Sequence, residues 1–348
     1  MKRHTPPEWS PQYAVLLSWP HVHSDWAPLL GEVETVYTEI SYHISRHENV
    51  IICCWDKTHL DHIETLLKRA SVDMGRIALH TIPANDTWTR DYGPMTTMDN
   101  DNCVLLDFTF NGWGGKFNAD LDNRVTNRLH ALGAFNSTPV TTIDMVLEGG
   151  SIDLDGADTL LTTSQCLLTP ARNPHLNRDQ LESRLRHIFG VKRVLWLEHG
   201  ILMGDDTDSH VDVLARFCND KTIAYTCCDD KTQGHYHELK LMKTELESFR
   251  TIDNVPYRLV PLPVPSPKYD EEGLQLPASY VNFLIINKAV LVPTYDDPMD
   301  DVALDRLADC FPGREITGIN CLPLIFQHGS LHCVTMQLPA GLVKNKTE

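Results

Sequence analysis

The segment GDDTDSHVDVLARF, residues 204–217, crowds Asp205, Asp206, Asp208 and Asp212 around His210. Carboxylates held this close repel one another unless a cation joins them. That cation could be a metal ion, a basic side chain of the same chain, or a substrate. Three other segments are equally dense in reactive groups. NDTWTRDYGPM (85–95) carries Asp86, Trp88, Arg90 and Asp91. LEGGSIDLDG (147–156) places Glu148 before a Gly-Gly turn, and HGSLHCVTMQL (328–338) places Ser330, His332 and Cys333 at the expected head of a strand. Each residue alone has a structural explanation. Asp86 can cap a turn, Arg90 and Asp91 can pair with each other, and Cys333 can be a small buried apolar group. What joins the four segments is their place at strand ends beside glycine or turn residues, where sites are commonly built.

The cation can be narrowed by chemistry. An EF-hand loop needs glycine at its sixth position and glutamate at its twelfth. From Asp206 onward neither is present. A zinc site wants two or more His or Cys at ligand spacing, and HVD supplies one His. A two-metal hydrolase remains an alternative, although it would need more His than these segments hold. An organic cation fits better: guanidinium is planar and forked, and two carboxylates can each take a pair of its N–H donors. Its carbon is a poor electrophile, because three nitrogens share the charge, so attack requires a nucleophile of thiolate strength. A histidine would protonate the departing ammonia and later deprotonate water. One Cys, one His and at least two carboxylates are therefore required, and the four segments supply them.

The elements that must position these groups follow from periodicity. Val33, Val36, Tyr37, Ile40 and Ile44 mark a helical stripe. Further helices are expected over 57–70, 119–132, 177–189, 235–249 and 302–310. Between them lie strand-length runs rich in β-branched residues: NVIICCW, RIALHTI, CVLLDFTF, TLLTTSQCLL, RVLWLEH, TIAYTCC, FLIINKAVLVP and LHCVTMQLP. The alternation is an α/β pattern, although two or three strand runs follow each helix and no repeat unit is defined. The proline-rich stretch 253–278 is expected to be a long surface loop. One domain is favoured. The 348 residues are 42% apolar, enough for a substantial core. A net charge of -17 argues against nucleic acid or an anionic membrane as partner. No run reaches the ~18 apolar residues of a membrane helix, and MKRHTPPEWSPQYAVLLSWP lacks the continuous apolar core of a signal peptide. The ten cysteines, with no CxxC, are expected to be reduced thiols in cytoplasm.

In combination, NDTWTRDYGP, DFTFNGWGGKF, LEGGSIDLDG, GDDTDSHVD, SYVNFLIINKAVLVPTYDD and LHCVTMQ resemble successive blocks of the agmatine deiminases. These belong to the bacterial peptidylarginine-deiminase-like family within the guanidine-modifying superfamily. The likeness spans about 7–340. It implies a pentein-type fold, a five-bladed α/β propeller of pseudo-repeats around a central active site, in a single catalytic domain. It also implies hydrolysis of a small cationic guanidine such as agmatine without metal or other cofactor, and is compatible with a homo-oligomer. By the resemblance, Cys333 matches the nucleophile and His210 the general acid/base. Asp91 and Asp212 match the carboxylates that hold the guanidinium, and Glu148 the partner of the histidine. Trp88, Asp206 and Asn282 match positions lining the pocket. Asp205 and Asp208 are expected to form the turn or support it. The family motif GGGNIHC is here QHGSLHC, so only Gly329 of its glycines remains. With these assignments, unpaired negative charge in the empty site should hold a proton on His210 and keep Cys333 from ionising until a cation arrives.

Overall fold

A computed structural model describes residues 3–100 and 102–342. The described strands form five separate small sheets. A shared plan runs through them: an antiparallel pair, then a helix, then a strand returning parallel to the pair. Ala215–Asn219 and Thr222–Cys227 are antiparallel, the helix Tyr236–Ser248 follows, and Arg258–Pro263 returns parallel to Thr222–Cys227. Leu284–Ile285, Ala289–Thr294, the helix Asp300–Ala308 and Glu315–Asn320 repeat it. So do Ile152–Leu154, Thr159–Thr163, the helix Arg178–Phe189 and Arg193–Leu197. A fourth sheet pairs Met95–Asp99 with Asn102–Thr109 and, after the helix Val125–Ala131, Val140–Val146; Arg3–His4 is added at its edge. In the fifth, Met336–Pro339 near the end of the chain pairs antiparallel with Gln12–Ser18. The helices Leu30–Ser45 and Lys57–Arg69 then lead into the parallel strands Asn49–Cys54 and Ile77–Thr81. The count matches the five expected pseudo-repeats.

Local sequence explains most boundaries. The stripe Val33, Val36, Tyr37, Ile40 and Ile44 is fully inside. Asp56 caps Lys57–Arg69 by accepting from the His59 amide at 2.8 Å. Asn177 and Gln180 form a reciprocal capping box at Arg178, and Gly190 ends that helix at φ 70°.

Several expected elements differ. The helix over 119–132 is confined to Val125–Ala131, behind a single 3-10 turn at Asp122–Arg124. TLLTTSQCLL is a strand only to Thr163, whose hydroxyl accepts from the Cys166 amide and starts a helical turn over Ser164–Leu167. FLIINKAVLVP is two strands around a turn. LHCVTMQLP is a strand only from Met336, so Cys333 sits on a turn before it. The loop expected over 253–278 contains the strand Arg258–Pro263. It is an edge strand. Arg258 and Val264 donate their amides to Lys221 and Cys227 across the pair, so the alternate residues Pro261 and Pro263 face the open side, where no donor is needed. No helix of the described residues is long and apolar enough to cross a membrane.

Candidate active site

The segments that join the sheets deliver one or two polar side chains each to a common point. Asp91 lies in the helical turn Thr89–Tyr92. The Thr89 hydroxyl there contacts the Leu16 and Val334 carbonyls, and the Arg90 amide donates to the Cys333 carbonyl at 3.1 Å. The Asp91 turn and the Cys333 turn are thereby locked together. Gly150, in the turn after Glu148, donates its amide to Asp91 Oδ1 at 3.0 Å. A Cβ on Gly150 would lie 2.6 Å from His210 Nδ1, 2.9 Å from Asp91 Oδ1 and 3.0 Å from Asp212 Oδ2. Three functional groups thus converge on the space a side chain would fill. Asp208 and Ser209 both adopt positive φ before His210. Asp205 holds that loop through the Thr207 hydroxyl (2.6 Å) and the Ser209 amide (2.7 Å), while Asp208 pairs with Lys116 and Arg172.

Cys333 Sγ is 3.2 Å from Asn282 Nδ2 and 3.7 Å from Asp212 Oδ2. Asn282 also accepts the His332 amide at 2.9 Å, which fixes the thiol-bearing turn. His210 presents Nδ1 to Asp91 at 3.7 Å and Nε2 to Glu148 at 3.9 Å. Among the residues lining the pocket, two buried side-chain atoms have no hydrogen-bond partner: His210 Nε2 and Asp212 Oδ1. Such orphans are costly unless a ligand answers them. The pocket beside them measures about 550 Å³, and its walls include Asp25, Asp86, Asp91, Asp205, Asp206 and Asp212, with no lysine or arginine. Trp88, Trp113 and Phe117 add aromatic surface. Glu148, Cys166 and His210 bring metal-ligating atoms within 4.8 Å of one another. However, both Glu148 oxygens accept from Arg172 Nε, at 2.8 and 2.9 Å, so a guanidinium already neutralises that carboxylate.

Burial, with Asp212 and Glu148 nearby, outweighs the pull of His210 and raises the Asp91 pKa to about 6. Burial would lower His210, but Asp91, Cys166 and Glu148 together hold it well above an ordinary imidazole. Burial, then Asp212 and Asp91, push the Cys333 thiol well above its usual range. Asp212 goes the other way despite burial, because His332 donates to it and His210 and Arg216 stand near. Both shifts favour a protonated imidazole and a neutral thiol, the direction in which the charge argument from sequence points.

The model of the Porphyromonas-type peptidyl-arginine deiminase family matches residues 4–339. The chain belongs to this family. It is 31% identical over 377 residues to the agmatine deiminase of Medicago truncatula, covering 97% of this chain and 96% of that protein. It is similar to the solved C. jejuni agmatine deiminase, a cysteine-to-serine variant with substrate bound: 38% identity, TM-score 0.90, 98% of this chain and 97% of that one. It is also similar to a Porphyromonas gingivalis structure provisionally described as an arginine deiminase, at 47% identity and TM-score 0.92, covering 99% and 100%.

In this deiminase-family chain Asp91, His210, Asp212 and Cys333 come together as expected, and Trp88 and Asp206 line the pocket. Asn282 stands behind the thiol rather than in the wall. Glu148 faces His210 but is bonded to Arg172, a residue the sequence reading missed. Trp113 was also missed; its Nε1 donates to Asp91 Oδ2 at 3.0 Å. The alternative ion pair of Arg90 with Asp91 does not form: Arg90 reaches Glu8 and Gln337 instead. Where the family glycine is replaced, His328 adopts φ 64° and its Nδ1 meets the Gly204 carbonyl at 2.8 Å. Gly329 is retained because a Cβ there would strike the Trp88 ring at 2.1 Å.

Proposed function

We propose that the chain is an agmatine deiminase, hydrolysing agmatine to N-carbamoylputrescine and ammonia in a single catalytic domain, working in the cytoplasm. Asp91 and Asp212 grip the guanidinium, with Asp212 Oδ1 taking one of its N–H donors. The added positive charge lowers the thiol pKa, so the Cys333 proton passes to solvent water and the resulting thiolate attacks the guanidinium carbon, while His210 keeps its own proton. A C–S bond forms, the C–N bond to one terminal nitrogen breaks, and ammonia leaves with a proton from His210. Water, deprotonated by His210, then attacks the amidino-cysteine adduct. The C–S bond breaks and the ureido product departs. Glu148, anchored by Arg172, supports the imidazolium. Asp206 and Trp88 line the substrate's path, and Asn282 orients the thiol. Ten free cysteines suit a reducing compartment.

The observation that carries the reading is a pocket walled by six aspartates and, among the described residues, no lysine or arginine, with Asp212, whose buried Oδ1 has no hydrogen-bond partner, in its lining. This favours a dication over free arginine, whose carboxylate would meet Asp25, Asp86, Asp205 and Asp206 with no lysine or arginine in the described wall to receive it. Support also comes from the C. jejuni relative, an agmatine deiminase with substrate bound in a cysteine-to-serine variant. The test is ammonia release from agmatine, arginine and peptidyl-arginine in parallel. Agmatine should be turned over with the highest kcat/KM, insensitive to chelators and abolished by a thiol reagent. Preference for arginine, or inactivation by chelation, would overturn the reading.

A further inference from the structure

His332 is the neighbour of the thiol, and its ring points away from the substrate pocket. Its Nδ1 lies 2.8 Å from Asp212 Oδ2, and its Nε2 lies 2.8 Å from Glu8 Oε1. Carboxylates only accept, so an imidazole between two of them must donate from both nitrogens unless one carboxyl carries the proton. Glu8 is braced as a carboxylate by Arg216, by Arg90 at 3.3 Å and by the Gln337 amide at 2.9 Å. The His332 ring is 1% exposed and Asp212 is 1% exposed, whereas Glu8 lies on a separate cleft of about 630 Å³ with Arg90 and Gln337. A buried chain of groups thus runs from that second cleft to the orphaned Asp212 Oδ1.

We propose that Glu8 and His332 are positioning residues for the deiminase reaction: Glu8 orients His332, and His332 turns and charges Asp212 so that its free oxygen meets the guanidinium. The donation to Oδ2 fixes the carboxylate plane and leaves Oδ1 for the substrate. It also keeps the negative charge on Asp212 within 3.7 Å of the thiol, which suppresses the thiolate until a cation arrives. Neither side chain lines the substrate pocket, and the contact that links them to it is the one from His332 Nδ1 to Asp212 Oδ2. Around His332 stand Arg216, Arg90, Glu8 and Asp212: burial and the two guanidiniums lower its pKa, against the pull of the two carboxylates. Around Asp212 stand His332, His210 and Arg216, together with Asp91 and Cys333.

The inference rests on the proposed deiminase function, and its test is chosen to be separable from that reading. His332→Gln and Glu8→Gln are assayed with agmatine across pH, with thermal unfolding as the check on folding. In each variant the loss should appear chiefly as a raised KM, with kcat/KM down roughly tenfold to a hundredfold at neutral pH. The acid limb should move to higher pH and steepen, because Asp212 then titrates together with Asp91. Protection of Cys333 from iodoacetamide by guanidinium ion should weaken in the same variants, a readout that does not depend on which guanidine is the substrate. A folded variant whose pH profile superimposes on wild type after scaling, with protection unchanged, overturns the inference, as does failure of both variants to fold. A wild-type enzyme inactive on agmatine but with guanidinium protection lost in the variants sinks the substrate assignment and leaves the pair's role intact.

Discussion

Gly150→Ala tests the convergence at the centre of the site without altering any reacting group. The new methyl would lie 2.6 Å from His210 Nδ1, 2.9 Å from Asp91 Oδ1 and 3.0 Å from Asp212 Oδ2. Ordinary contact distances are about 3.5 Å or more, so the nearest neighbour must retreat by roughly 1 Å. The neighbours are poorly able to do so. Asp91 is held by Trp113 and by the Gly150 amide itself, and Asp212 by His332. A misplacement of about 1 Å costs on the order of a hundredfold in rate, equivalent to ~2.7 kcal/mol of barrier. The overpacking itself should cost about 1–3 kcal/mol of stability. The expectation is a folded protein with a lower unfolding temperature and kcat/KM for ammonia release down about a hundredfold. Because the Gly150 backbone has no positive φ, strain in the chain is not a competing cause. A folded variant within about threefold of wild type would mean that the three groups have room to move and that their observed separations do not set the rate.

Cys333→Ser should fold normally and lose nearly all ammonia release, since a hydroxyl lacks thiolate reactivity; turnover within about tenfold of wild type would remove Cys333 as nucleophile. Asp91→Asn and Asp212→Asn each remove a charge that meets the guanidinium, so kcat/KM should fall by an amount equivalent to about 2–5 kcal/mol, and normal kinetics in either would take that residue out of the site. Asp91, with its pKa raised to about 6, becomes neutral as pH falls through that value and loses its grip on the cation. Asp212, shifted down, stays charged there. The kcat/KM profile should therefore decline on the acid side near pH 6, and a profile flat from about pH 7.5 to about pH 5 would contradict that assignment. The raised Cys333 and His210 values predict little thiolate absorbance in the free enzyme at neutral pH and a gain on adding a non-reacting guanidine; a fully formed thiolate without ligand would refute substrate-assisted activation.

What could be read beforehand was whatever a short stretch of chain carries by itself. The crowd of acids around His210 is contiguous, so its need for a cation is visible without a fold. The stripe from Val33 to Ile44 is periodic, so its helix and buried face follow directly. Arg172 gave no such sign. It stands in a loop of mixed polarity and acquires meaning only where the chain brings it against Glu148. Trp113, Glu8 and His332 are likewise defined by partners more than twenty residues away. The five-fold repetition was hidden because it resides in backbone pairing, an antiparallel pair and a parallel return, which different side chains can satisfy equally. The strand with Pro261 and Pro263 was hidden for the opposite reason: prolines are read as breaks, and only the open edge of its sheet makes them harmless.

Met336–Pro339 closes against Gln12–Ser18, and this has a consequence for how the enzyme comes into being. The sheet that Gln12–Ser18 begins is the last of the five to be finished. Glu8, Asp91, Glu148, His210 and Asp212 are all made before Cys333, whose turn lies just ahead of the closing strand. A growing chain can gather its acids but has no nucleophile until Cys333 is made, and no closed sheet until Met336–Pro339 follows it. The thiol then enters surroundings that already oppose its ionisation. Activity thus depends on the strand Met336–Pro339, and its loss would be expected to silence the site even with the other four sheets intact.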